Sequence, residues 1–239
     1  MTSRRTVVST ENVTAAIDVL NFLKSRYNYR KLSKLFGIPQ STLVRYLHGK
    51  TLPRPAIAKD IMKRALELVR PEELVREYLS SDRDLGLLRL ISDSMAIKVL
   101  AYHAIRTFEG TRVVAAVNLD PPVIPLVAAF SLTTGCALVM VNERPMCDVE
   151  NYVCVAYRPA GDFSSRHLWV PSTIKQHKDG IALFASSVDS PSPLTEFFTT
   201  IQDLGIRCSG IYSLYAREEV WNSIKFPVGC RKRAVLVEK

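Results

Sequence analysis

The chain has 239 residues, 47% of them hydrophobic, enough for the core of one large domain or two small ones and too many for a disordered chain. Its formal net charge is +9, and the excess sits at one end: residues 1–70 hold 14 Lys and Arg against 4 Asp and Glu, and residues 71–239 hold 18 against 19. No stretch reaches the ~18 apolar residues of a membrane helix, and the first ten residues lack the apolar core of a signal peptide. The expectation is a cytoplasmic protein with no membrane contact. The five cysteines form no CxxC and have no histidine at ligand spacing, so they read as reduced thiols, with no metal site and no cofactor expected.

A helix is predicted over residues 12–27, because Val13, Ile17, Leu20, Leu23 and Tyr27 share one face, with Thr10 or Asn12 as its cap. Asn28 interrupts the pattern. Residues 29–49 then read as two short helices meeting at Gly37-Ile38: the glycine permits a left-handed turn, and Ile38 fills the space between them. Leu32, Leu35, Ile38, Leu43 and Leu47 form the expected shared core. The second helix carries Gln40, Ser41 and Arg45 on its outer face near its start, and Lys50 and Arg54 follow it.

That spacing is the geometry of a recognition helix, whose first turns meet base edges in the major groove while nearby lysines meet phosphates. Taken singly, Arg45 reads as a surface arginine, Gln40 and Ser41 as a helix start, and His48 as a helix end. Combined with the local excess of basic charge they point to double-stranded DNA. The run Gly-Ile-Pro-Gln-Ser-Thr-Leu, then Arg-Tyr-Leu-His-Gly and Leu-Pro-Arg-Pro, resembles the phage-repressor (Cro/C1) type of helix-turn-helix. The resemblance implies base contacts from Gln40, Ser41 and Arg45 and phosphate contacts from Thr42 and Lys50. It departs at Pro39, where that family often has a capping Ser or Thr.

Pro55 is placed to start another helix, with Ile57, Ile61, Ala65 and Leu68 as its buried face. Residues 71–84 read as a linking helix with a boundary at 80–82. The domains expected are therefore a helix-turn-helix unit over 1–70, a linker over 71–84 and an α/β domain over 85–239.

In that last part a helix over 85–108 is followed by strands at 112–117, 136–141, 152–157, 181–185 and 206–212, with helices at 122–132 and 194–204. Apolar strands alternating with helices predict a mostly parallel sheet covered on both faces, with a ligand at the strands' carboxyl ends. Two polar loops fall there, holding Asn118 and Asp120 in one and Ser186, Ser187, Asp189, Ser190 and Ser192 in the other. Hydroxyls and N–H groups at a helix start suit an anion.

The order of these elements resembles a type I phosphoribosyltransferase. The resemblance implies a basic residue at Arg144, a flexible loop at 161–173 carrying Arg166 and His167, and a phosphate loop after residue 185. It departs where the family's acidic pair falls on Ala185 and Ser186, and where the loop glycine falls on Pro191. A helix-turn-helix fused to such a domain is similar to archaeal transcription regulators. The expected function is therefore a homodimeric, sequence-specific DNA-binding regulator that is not an enzyme and has no catalytic residues. Its effector is expected to be an anionic small molecule, a nucleotide or a sugar phosphate. Two alternatives stand beside it: an active phosphoribosyltransferase with a nucleic-acid-binding appendage, and a DNA-binding protein whose second domain only dimerises.

Overall fold

The computed structural model describes residues 3–80, 82–158 and 164–239. The chain begins with a long helix, α1 (Ser3–Arg26), so residues 10–12 lie inside it and do not cap its start. Asn28 ends the pattern for a physical reason. Its side chain accepts the Lys31 N–H at 2.9 Å and caps α2 (Tyr29–Phe36). Gly37 takes the left-handed conformation, φ +66°, and closes α2. After Pro39 the chain enters α3 (Gln40–Leu47) without a side-chain cap, and the Pro39 carbonyl accepts the N–H groups of Thr42 and Leu43. Leu32, Phe36, Leu43 and Tyr46 are buried, and Leu35, Ile38 and Leu47 of the expected core are half-buried.

Pro55 does open α4 (Pro55–Leu68). Of its expected face Ile61 and Ala65 are buried, Leu68 is half-buried and Ile57 is exposed, and Ala58 and Met62 complete the buried stripe. The helix expected over 85–108 is two. The helices α5 (Pro71–Leu79), α6 (Arg83–Ser92) and α7 (Ser94–Thr107) follow in turn. Asp93 breaks the run by capping α7 through the N–H groups of Met95 and Ala96, and it also accepts the Tyr78 hydroxyl. Residue 81, at the expected boundary, lies outside the described residues.

The rest is built on a sheet of five parallel strands in the order β2-β1-β5-β6-β7. They are β1 (Ala115–Asn118), β2 (Ala137–Val139), β5 (Ile181–Val188), β6 (Cys208–Arg217) and β7 (Arg231–Glu238). Side chains alternate between its faces. Ala116, Ala182, Phe184, Tyr212 and Val235 meet α7 and α8 (Ile124–Thr134). Val117, Leu183, Ala185 and Ile211 meet α9 (Ser192–Asp203) and α10 (Glu218–Ser223) on the other. Covering both faces is what makes these strands read as unbroken apolar runs.

Two expectations are corrected here. Strand β3 (Tyr152–Tyr157) has the expected bounds but is not in the sheet: it pairs antiparallel with β4 (Arg166–Pro171). The loop expected over 161–173 is largely that strand, and residues 161–163 lie outside the described residues.

The first core cluster runs without interruption from Val13 in α1 to Leu236 in β7. Helix α1 lies along α4 and α7, with Asp18 and Lys98 paired at 2.8 Å. Among the described residues no helix is long and apolar enough to cross a membrane.

Candidate functional site

From β1 the chain steps outward to β2, and the later strands continue on the opposite side, so β1 and β5 are the neighbours where the winding reverses. Such a reversal opens a crevice at the carboxyl ends of the two strands, because the connecting loops diverge there. A pocket of about 230 Å³ occupies that place. Its walls are Leu119 and Asp120 from the end of β1, Ala185 to Ser190 from the end of β5, Pro193 and Leu194 from the start of α9, and Glu143, Tyr157 and Leu168.

Asp120 holds the two strand ends together. One carboxylate oxygen accepts the Val123 N–H at 3.2 Å and caps the following turn; the other accepts the Ser186 N–H at 2.8 Å. Burial pushes this carboxyl above the ordinary aspartate range, against the opposing pull of the hydrogen bonds from Ser186 and Val123. Ser186 is itself 5% exposed, and Ser187 and Ser190 are half-buried at the rim. Asp189 is reached from the helical part: the Arg83 guanidinium, at the start of α6, meets its carboxylate at 2.7 Å and lies over the Tyr215 ring. Tyr157 has its hydroxyl pushed up by burial and by the charge of Glu143, with Arg166 opposing.

Three residues of the expected ligand set are used differently. Asn118 is fully buried, and its amide is committed to the backbone: it accepts the Val141 N–H at 2.9 Å and donates to the Val141 and Asp120 carbonyls. It fixes the segment after β2 instead of facing a ligand. Ser192 accepts the Arg158 N–H at 3.3 Å, joining α9 to the end of β3. Arg144 is exposed and outside the lining; its neighbour Glu143 is the one that lines the pocket. Asp120, Ser186, Ser187, Asp189 and Ser190 are brought together in the pocket lining.

Glu143, Tyr157, Leu168 and Arg83 were not foreseen. The alternation that buries Val155, Leu168 and Val170 in the β3–β4 pair was the available signal for two of them. The lining thus offers carboxylates and hydroxyls, suited to the hydroxyl groups of a sugar. At α9 Pro193 has no N–H, which removes one backbone donor from the helix start. A wider groove of about 730 Å³ between α4, α7 and α8 lies away from the strand ends.

The residues expected to meet DNA lie elsewhere, outside the lining of this pocket. Gln40, Ser41, Arg45, Lys50 and Arg54 are exposed on α3 and just after it, and Thr42 is half-buried.

No family model and no curated protein sequence matches the chain. Solved structures do. An adenine phosphoribosyltransferase from Rhodothermus marinus matches with a TM-score of 0.53 at 9% identity, over 62% of this chain and 83% of that one. The adenine phosphoribosyltransferase of Giardia lamblia, complexed with 9-deazaadenine, matches at 0.52 and 12% over 63% and 84%. That of Thermoanaerobacter pseudethanolicus matches at 0.51 and 10% over 64% and 85%. The expectation that the chain is not an enzyme does not stand against this, because the structures that share its fold are enzymes by name. Nor does the loss of acidic residues at Ala185 and Ser186 strip the pocket of acid groups, since Asp120, Glu143 and Asp189 supply carboxylates from other positions. The parallel five-stranded sheet and its flanking helices have the fold of a phosphoribosyltransferase.

Proposed function

We propose that the chain binds a ribose-phosphate-type ligand in the pocket between β1 and β5, and binds DNA through a helix-turn-helix formed by α2 and α3. The observation that carries the ligand reading is the place of the pocket, at the winding reversal, with carboxylates and serine hydroxyls converging from both strand ends. Its volume of about 230 Å³ lies below the ~300–1,000 Å³ of pockets for drug-sized ligands, which favours the sugar-phosphate part over a whole nucleotide. Calorimetry with ribose 5-phosphate, AMP and phosphoribosyl pyrophosphate tests this, and saturable binding of at least one is expected. No heat from any of the three at millimolar concentration would reject the ligand reading.

Phosphoribosyl transfer is the second reading, and the fold-sharing structures favour it, each being an adenine phosphoribosyltransferase. Incubation with adenine and phosphoribosyl pyrophosphate should then release AMP and pyrophosphate. Binding without turnover leaves the ligand reading in place and removes transfer of adenine.

Supporting the DNA reading are the exposed row Gln40, Ser41 and Arg45 and the basic excess of residues 1–70. On DNA selected by the wild-type protein from a random pool, Arg45→Ala should lose about 1–3 kcal/mol of discrimination against random DNA. Lys50→Ala should weaken both DNAs alike and shallow the salt dependence by roughly one ion. Equal losses on both DNAs for Arg45→Ala would remove its base-reading role.

A further inference from the structure

Cys208 opens β6 and Cys230 stands immediately before β7, two strands that are hydrogen-bonded neighbours. Gly210 and Arg231 are the first partners of that ladder, so both cysteines lie at its amino end. Their sulfurs are 3.5 Å apart. A disulfide needs about 2.05 Å, so roughly 1.5 Å of sulfur travel separates the dithiol from the bond. Cys230 can supply it, because it follows a turn closed by its own N–H on the Pro227 carbonyl, at the surface end of the strand. Cys136, Cys147 and Cys154 have no such sulfur neighbour among the described residues.

We propose that Cys208 and Cys230 form an oxidative modification site, a dithiol that a hydroperoxide converts to an intrachain disulfide.

The two thiols are unequal in a way that assigns their roles. Cys230 is half-buried, within reach of an oxidant, and Cys208 is 5% exposed. One S–H···S hydrogen bond joins the two sulfurs, and either can donate it; donated by Cys208, it is the main reason the Cys230 thiol lies below its ordinary range in spite of burial, with the Ile211 N–H and the Lys232 ammonium adding to it. The same hydrogen bond, with burial, holds the Cys208 proton in place. The thiolate, the reactive form, therefore develops on the accessible sulfur. It attacks an oxygen of the hydroperoxide: an S–O bond forms, the O–O bond breaks, and the alkoxide leaves as alcohol on taking a proton. The Cys208 sulfur then attacks the sulfenic Cys230: an S–S bond forms, the S–O bond breaks, and water leaves with the Cys208 proton. Two thiols and one hydroperoxide give one disulfide, one alcohol and one water.

The full-length protein treated with hydrogen peroxide under native conditions tests this by non-reducing peptide mapping. Expected are a linked peptide containing Cys208 and Cys230, an intact mass lower by two hydrogens, and a higher Tm than the reduced protein, since a loop spanning 22 residues is closed. Oxygen adducts without a linked peptide, or linkage through Cys147 or Cys154, would overturn the proposal. In Cys208→Ser the sulfenic acid on Cys230 should persist and be trapped by dimedone. Failure to trap it there, or equally fast oxidation of Cys208 in Cys230→Ser, would overturn the assignment of roles. Pocket occupancy does not enter the test, because both cysteines lie at the amino ends of their strands, opposite the ligand site.

Discussion

Phe184→Ala should lower the unfolding free energy by about 3–5 kcal/mol, the range for emptying a large aromatic site in a packed core. Phe184 is fully buried on β5, with sheet neighbours on both sides. Its ring lies 5.0 Å from that of Phe130 in α8, 5.8 Å from Tyr212 in β6 and 6.1 Å from Phe108 at the end of α7. Truncation removes the member shared by all three pairs, and a β-sheet backbone hydrogen-bonded on both edges has little freedom to close the void. Against a total stability of about 5–15 kcal/mol, the loss is large enough to unfold part of the population at 37 °C. The urea midpoint should fall at an unchanged m-value. A loss under about 1 kcal/mol would mean that the aromatic group repacks and does not act as one rigid unit.

The second large effect is acid sensitivity centred on His103. This histidine sits on α7 with its Nδ1 2.8 Å from the Tyr212 hydroxyl, and it faces Arg233 from β7 and Glu72 from α5. Burial, helped by the Arg233 charge and opposed by Glu72, pushes its pKa down from 6.5 to about 4. The unfolded chain therefore takes up a proton near pH 6.5 that the folded chain refuses until about pH 4. Between those values the unfolded state binds more protons, so stability is lost as the pH falls through that window and is level above it. The shift from 6.5 to about 4 corresponds to about 3 kcal/mol. His103→Gln keeps a polar partner for Tyr212 and cannot titrate. Comparing urea midpoints of the two proteins from pH 7 to pH 4 isolates the histidine from the carboxylates that titrate nearby. Parallel curves for the two proteins would mean that His103 becomes protonated in the folded state without cost.

The turn between α2 and α3 was readable because its chemistry is local: a glycine with φ +66° and one apolar residue carry it. The strands β3 and β5 were readable as apolar runs with few competing signals. What could not be read was pairing. Strand β3 looks like a sheet strand, but nothing within six residues says that its partner is β4 and not β1. Strand β7 escaped because only Ala234, Val235 and Leu236 are buried, between Arg231, Lys232 and Glu238 on an edge strand. The break at Asp93 was hidden by the apolar pattern on either side, although Ser92-Asp93-Ser94 has the residue types of a cap. The site divides in the same way. Asp120 and the serines after Ala185 lie in loops that follow recognisable strands. Arg83, Glu143 and Tyr157 arrive from α6, the segment after β2 and the β3–β4 pair, so their presence depends on contacts between distant parts of the chain. Asn118 was misread because a buried amide and a ligand-facing amide look identical in a sequence.

The pairing of β1 with β5 also bears on when the pocket comes into being. Asp120 and Ser186 are 66 positions apart, and everything from α8 to β4 is made between them. On a ribosome, a nascent chain that ends before residue 181 has the lining from β1 and from Glu143, Tyr157 and Leu168, and none of that from β5 and α9. The pocket can close only after β5 has emerged and settled between β1 and β6, an order of events typical of slow, non-local assembly. A ligand at this site therefore cannot guide early folding. It can only hold the finished state, adding RT ln(1 + [L]/Kd) to its stability, so cells rich in that ligand would carry more of the folded protein than cells poor in it.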